Sequence, residues 1–301
     1  MTLSEPRARA GLDADHLIAL RRFALNLRFD PSQSALPGGF AVRSKGSGLE
    51  IADVREYVPG DDVRHLDSSA TARTGRLHVR RFHAERDWTA LLVADFRPSM
   101  FWGLKRALRS VAAAELLALI GWQVAEMGGR VSLLAFGAGE PVVRPPRGRT
   151  RGMLNVIGGL VEAHQRAFDA LRSGGGTERP LASELDRAAR IAPPGAKVFI
   201  ASGFDDLGAA FGDQLLALER RRSVSLFQIT AAEAARLPRG RYPVRLANGQ
   251  RARLTLAGTQ PRKTEDISDV AGRDALVFDE AMDPEQMARR LAGTISEIKA
   301  A

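Results

Sequence analysis

Between Ala94 and Met100 the sequence reads ADFRPSM, which places Asp95, Arg97 and Ser99 at alternate positions on a turn that leaves an apolar strand. An acid followed by hydroxyls at that spacing is one way to hold a metal ion. Mg²⁺ takes six oxygens in near-octahedral array and keeps several waters. Here the middle position is Arg97, and a guanidinium has five donors, no acceptor and no accessible deprotonated form. Held about 4 Å from a divalent ion, it would repel that ion by roughly 8 kcal/mol at an effective dielectric near 20. Two further polar segments follow later in the chain. GGGTERPLASEL (174–185) carries Thr177, and IASGFDD (200–206) carries Gly203, Asp205 and Asp206.

Other chemistries find less support. There is no cysteine, which excludes disulfides, thiolate metal sites and a Cys nucleophile. The five histidines (His16, His65, His78, His83 and His164) show no i, i+4 zinc spacing. No G-x-S-x-G elbow and no P-loop occur, so a hydrolase has nothing to carry it. The acids of REYVPGDDVR (Asp61, Asp62) and nearby Asp67 read more simply as turn residues paired with Arg55, Arg64 or Arg73. Net charge is +9, and from Ala234 to Thr264 there are eight basic residues and no acid. Nucleic-acid binding through that segment is a rival expectation, with steep salt dependence as its signature. Tyr242 stands alone there, so no stacking ladder accompanies the charge.

The elements that position these residues are legible from periodicity. Residues 12–29 have helical spacing ended by Pro31. A Gly/Ser-rich passage follows, then a β-rich region with the alternating strand RLHVRRF. From Thr89 onward TALLVA, VSLLAF, KVFIA and SVSLFQI are short, nearly continuous apolar runs, as for parallel strands buried on both faces. Helices are expected between them at 104–127, 153–171, 178–191 and 207–222. Strands alternating with helices imply a doubly wound α/β sheet. Asn248–Gly249 predicts a basic hairpin, ALVFD (275–279) a last strand, and Asp283 with Pro284 the cap of a closing helix. The domains expected are 1–84, an N-terminal helix with a β-rich region, and 85–301, the sheet domain with the hairpin inserted at about 231–264. The start lacks an apolar leader, and the most apolar run carries Glu115, Gln123 and Glu126. A soluble, cytoplasmic protein without membrane insertion is expected.

In an open parallel sheet, ligands sit beyond the carboxyl ends of the strands. Three polar segments gathered there resemble the layout of a von Willebrand A-type domain, whose metal site takes a D-x-S-x-S turn, a Thr from a second loop and an Asp from a third. The wider stretch GSGLEIADVREYVPGDDVRHLDSSATARTGRLHVRRF, continuing to DFRPSM, resembles the defining region of the domain of unknown function 58 family. It matches at Gly46, Gly48, Glu50, Arg55, Tyr57, Pro59, Gly60, Asp61, Asp62, Arg64, Asp67 and Thr71–Gly75. The departures are Ile51 for a usual Phe, Ser68 for a usual Trp, Arg97 for the first serine of the metal turn, and Gly203 where an aspartate is expected.

That resemblance implies a von Willebrand A-like fold and a non-enzymatic interaction module. It also implies a partnership with a MoxR-type AAA+ ATPase, acting like a chaperone in assembling or activating other proteins. The adhesion-type metal site would be degenerate. Asp95, Ser99, Thr177 and Asp205 remain as its ligand candidates, with Mg²⁺ disfavoured by Arg97 and Gly203. Arg97 can swing outward to water, or occupy the ion's position and pair with Asp95, Asp205 or Asp206. Partner contact is expected around Asp95, Arg97, Ser99 and Thr177.

Overall fold

The computed structural model describes residues 11–25, 49–58, 66–84, 88–175, 178–232, 237–245, 250–256 and 266–298. The chain divides into two compact units, Arg43–Trp88 and a larger one formed by Met1–Val42 with Thr89–Ala301. The first described elements, α1 (Ala14–Ala19) and α2 (Arg21–Leu25), belong to the larger unit.

In the smaller unit β1 (Leu49–Glu56) pairs antiparallel with β2 (His78–Ala84), with a register shift between Ile51 and Asp53. Helix α3 (Ser68–Thr74) lies between them in sequence. Asp67 starts it by accepting the Ala70 N–H at 2.8 Å. This acid is therefore a helix cap, which satisfies one of the donors a helix start leaves open. Asp61, Asp62 and the Pro59–Gly60 turn lie outside the described residues.

The larger unit is built on a seven-stranded sheet. In chain order its elements are β3 (Thr89–Asp95), α4 (Arg109–Glu126), β4 (Arg130–Phe136), β5 (Val142–Gly148), α5 (Arg149–Arg172), α6 (Ala182–Ile191), β6 (Lys197–Ser202), α7 (Phe211–Glu219), β7 (Ser223–Thr230), a separate two-stranded pair β8 (Gly240–Arg245) and β9 (Arg251–Leu256), then β10 (Ile267–Asp269), β11 (Asp274–Asp279) and α8 (Pro284–Ile298). The strand order is β10-β11-β7-β6-β3-β4-β5. The five central strands run parallel, and the two outer ones join antiparallel. The architecture is thus mixed α/β around a mostly parallel sheet. Leu91, Val93, Leu134, Val198 and Ile200 pack with Leu185 of α6 and Leu215 of α7 in one buried cluster. Every residue from Ala90 to Asp95, Val131 to Phe136 and Val198 to Ser202 is buried, and such burial on both faces is what the continuous apolar runs encode.

The sequence reading passed over β5, whose VVRPPRG carries two adjacent prolines. Proline gives no ladder donor, so it is tolerated only on an edge, and β5 is an edge strand. The helix expected from 104 begins at Arg109, because the preceding residues are held as a loop by the Glu280 carboxylate, which accepts the N–H groups of Leu104 at 2.8 Å and Lys105 at 3.1 Å. Asp283 and Gln286 form a reciprocal capping pair at α8, at 2.8 and 3.0 Å. The β8–β9 ladder places Arg241 opposite Thr255 and Tyr242 opposite Leu254; the Asn248–Gly249 turn lies outside the described residues.

Helix α4 explains the most apolar stretch of the chain. It is buried from Arg109 to Ala125. The Trp122 indole donates to the Leu17 carbonyl at 3.0 Å, and Glu115 pairs with His16 at 2.8 Å and with Arg106 at 2.5 Å. Among the described residues no helix is long and apolar enough to cross a membrane.

Candidate functional site

Strand β3 sits mid-sheet, with β4 on one side and β6 on the other. The chain leaves β3 and β6 in opposite directions, so the crevice at their carboxyl ends is the switch point where α/β sheets bind ligands. Asp95 ends β3, and Ser202 ends β6.

There Arg97 turns inward. Its backbone N–H donates to Asp95 Oδ1 at 2.9 Å, its Nε lies 3.1 Å from both carboxylate oxygens, and its Nη2 donates to Oδ2 at 2.9 Å. Ser202 Oγ adds a fourth donor group, 2.6 Å from Oδ2. The remaining guanidinium nitrogen, Nη1, donates to the carbonyls of Arg179 at 2.7 Å and Asp206 at 2.8 Å. Asp95 is 0% exposed and Arg97 2%. Burial alone would weaken the Arg97 charge; the Asp95 carboxylate overcomes it and holds the guanidinium pKa above its ordinary value.

Ser99 faces a different acid. Its hydroxyl donates to Glu178 Oε1 at 2.7 Å and its N–H to Oε2 at 3.0 Å. A second arginine completes the cluster. Arg109, the first residue of α4, donates from Nε to the Ile229 carbonyl at 2.7 Å, and its Nη2 lies 3.0 Å from Asp205 Oδ2. A Cβ at Gly203 would fall 1.5 Å from Arg109 Nη2. The glycine therefore makes room for the Arg109 guanidinium.

Of the sequence-predicted residues, Asp95, Arg97 and Ser99 meet here, with Asp205 held by Arg109. Asp206 contributes its carbonyl, while its residue faces solvent. Thr177 lies outside the described residues. Asp95 and Arg97 are each other's partners rather than surface groups, so neither is accessible as folded. Sequence reasoning missed Glu178, Ser202 and Arg109. Ser202 stood within the quoted IASGFDD segment and Glu178 one residue beyond Thr177, but nothing in SVAAAELL marks Arg109 as reaching across the sheet.

The donor set as folded does not fit Mg²⁺. An ionised carboxylate offers about four lone-pair sites, and four donor groups already use those of Asp95. The Ser99 hydroxyl is committed to Glu178, and Gly203 has no side-chain oxygen to give. Among the described residues no group of three or more His, Asp or Glu could hold a metal ion.

One pair resembles a nucleophile and its base: Ser110 Oγ lies 3.0 Å from His164 Nε2. Both are closed from solvent, at 0% and 1% exposure. The ring is packed among Phe96, Phe101 and Phe168. Burial pushes the His164 pKa down to about 4, too low for an effective base near neutrality. Its consequence is for stability. The unfolded histidine takes a proton near pH 6.5 while the folded one stays neutral, so stability falls as pH drops through that window. At 1.36 kcal/mol per unit, and with the unfolded ring half protonated at pH 6.5, the His164 contribution to stability should fall by about 1.5 kcal/mol between pH 6.5 and 5. His164→Gln should flatten that slope in urea titrations at each pH. His16, raised by its Glu115 hydrogen bond, acts in the opposite sense: its contribution is present below pH 6.5 and lost as pH rises through the raised value.

Comparison with known proteins adds two findings. Residues 53–268 match the family model described as protein of unknown function DUF58. Uncharacterised proteins of Mycobacterium tuberculosis and Mycobacterium bovis are each 36% identical over 167 residues, 51% of this chain and 51% of theirs. The chain spans about half the length of the curated relatives it matches.

Proposed function

The chain belongs to the DUF58 family, and from that premise we propose that it is a non-enzymatic protein-interaction module, the partner of a MoxR-type AAA+ ATPase in chaperone-like assembly or activation of other proteins. The larger unit is read as a von Willebrand A-like domain working in the cytoplasm, with the adhesion-type metal position given over to arginine. The observation that carries this reading is the Arg97 guanidinium, which ties Asp95 to the carbonyls of Arg179 and Asp206. A fixed cation joins three loops at the ligand end of the sheet, where a metal ion would otherwise join them. Those loops then keep one shape without an ion. The partner reading itself rests on the family resemblance in REYVPGDDVR and the TARTG segment that follows.

The test is co-purification of the full chain with the MoxR-type ATPase of the same cell. A complex that forms equally well in EDTA and in Mg²⁺-containing buffer without nucleotide is the expected outcome. Failure to form any complex would overturn the partnership. A complex that EDTA dissolves would overturn the metal-free part alone.

A further inference from the structure

Strands β8 and β9 form a two-stranded ribbon of their own, hydrogen-bonded to no strand of the seven-stranded sheet. The antiparallel register puts Arg241 opposite Thr255, Pro243 opposite Arg253 and Arg245 opposite Arg251. Positions two apart on a strand share a face, and cross-strand partners share it too. Positions 241, 245, 251 and 253, all arginine, therefore belong to one face of the ribbon. Tyr242 and its partner Leu254 take the other. Leu254 is 49% exposed, and the Tyr242 hydroxyl donates to the Pro238 carbonyl at 2.8 Å.

The charge of this face is not neutralised by its surroundings. Arg241 and Arg253 are exposed and have no ion pair among the described residues. No acid occurs anywhere from Ala234 to Thr264. Like charges at directly opposed positions, as at 245 and 251, also destabilise an antiparallel pair. An anion laid across them removes that cost.

The make-up of the face selects among anions. A protein interface has an apolar centre depleted of charge, and here only Pro243 and Thr255 separate the arginines. A lipid surface engages apolar side chains and cations together, whereas the ribbon divides them between opposite faces. A single strand stacks its bases on aromatic rings, and Tyr242 lies on the far face. A duplex is bound mainly through cations on its phosphates. The major groove of B-form DNA, about 12 Å wide, also admits a two-stranded ribbon.

We infer that the arginine face of the β8–β9 ribbon binds duplex DNA through its phosphates. The net charge of +9 favours the approach. The inference goes beyond the interaction-module reading and does not depend on it.

Fluorescence anisotropy of a labelled mixed-sequence duplex of about 20 base pairs, titrated with the full chain from about 50 to 200 mM salt, tests it. Wild-type affinity should fall steeply with salt. Combining Arg241→Ala with Arg253→Ala removes two phosphate contacts, so the slope of log K against log salt should flatten by about 1.8, at roughly 0.9 per contact. Affinity near the lowest salt should drop about tenfold or more. Thermal unfolding should not change, because both side chains are exposed. Lysine at the same two positions should restore the slope, which a merely structural role would not predict. The ATPase complex should form with the double alanine variant as with wild type, and its failure in wild type would leave the DNA result standing. No duplex binding at the lowest salt, or an alanine variant with the wild-type slope, would overturn the inference. Tighter binding of a single strand than of the duplex would overturn it as well. Phosphatidylglycerol vesicles bound in place of DNA would assign the face to a lipid surface and overturn it too.

Discussion

Replacing Arg97 with methionine should destabilise the larger unit by about 3–5 kcal/mol, since breaking a buried pair leaves an uncompensated charge. The left-over charge is the Asp95 carboxylate, fully buried and then held only by Ser202 and one backbone N–H. The carbonyls of Arg179 and Asp206 lose a donor as well. Methionine is unbranched and of similar length, so the cavity left behind is small and the loss is mainly electrostatic. Urea unfolding followed by circular dichroism measures it. Combining Asp95→Leu with Arg97→Met removes both charges and should cost less than either single change, the sign expected for a coupled pair. A single variant within about 1 kcal/mol of wild type would show that the clamp holds nothing.

Putting back the expected acid by Gly203→Asp should not create a metal site; it should destabilise by about 2–4 kcal/mol, through overpacking and disruption of a buried cation. The new Cβ would land on the Arg109 guanidinium and crowd Asp205 Oδ2, 2.4 Å away. Arg109 must then leave the Ile229 carbonyl. Calorimetric titration with Mg²⁺ should show no heat in this variant, because Arg97 still covers Asp95. Adding Arg97→Ser to Gly203→Asp frees the carboxylate and supplies the missing oxygens. That double variant is the one whose unfolding temperature Mg²⁺ should raise. A clear Mg²⁺ response in wild type would contradict the fit drawn from the Asp95 lone pairs.

The central strands were the most legible part of the molecule. TALLVA, VSLLAF, KVFIA and SVSLFQI became β3, β4, β6 and β7, because unbroken apolar runs have few other stable homes. What escaped were features set by distant contacts. β5 was hidden by prolines that only an edge position allows. The true start of α4 is fixed by Glu280, some 175 residues away in sequence, and no local spacing encodes that. At the site, local pattern identified Asp95, Arg97 and Ser99 as a turn and left open where the guanidinium points. The inward choice depends on carbonyls at 179 and 206, which come from other loops. Gly203 read as a lost ligand, and only the position of Arg109 shows it as a space requirement.

Helix α4 is enclosed by elements from both ends of the chain: α2 lies against it from before, α8 from after, and α5 and the sheet cover the rest. During synthesis the ribosome releases α2 and α4 long before α8. Until the last helix emerges, an apolar flank of α4 has nothing to rest on, and domains of this size then become prone to clumping. Closure of the larger unit must therefore wait for translation to pass α8. A nascent chain arrested before Asp283 should remain protease-sensitive at a helix that, in the finished protein, no protease can reach.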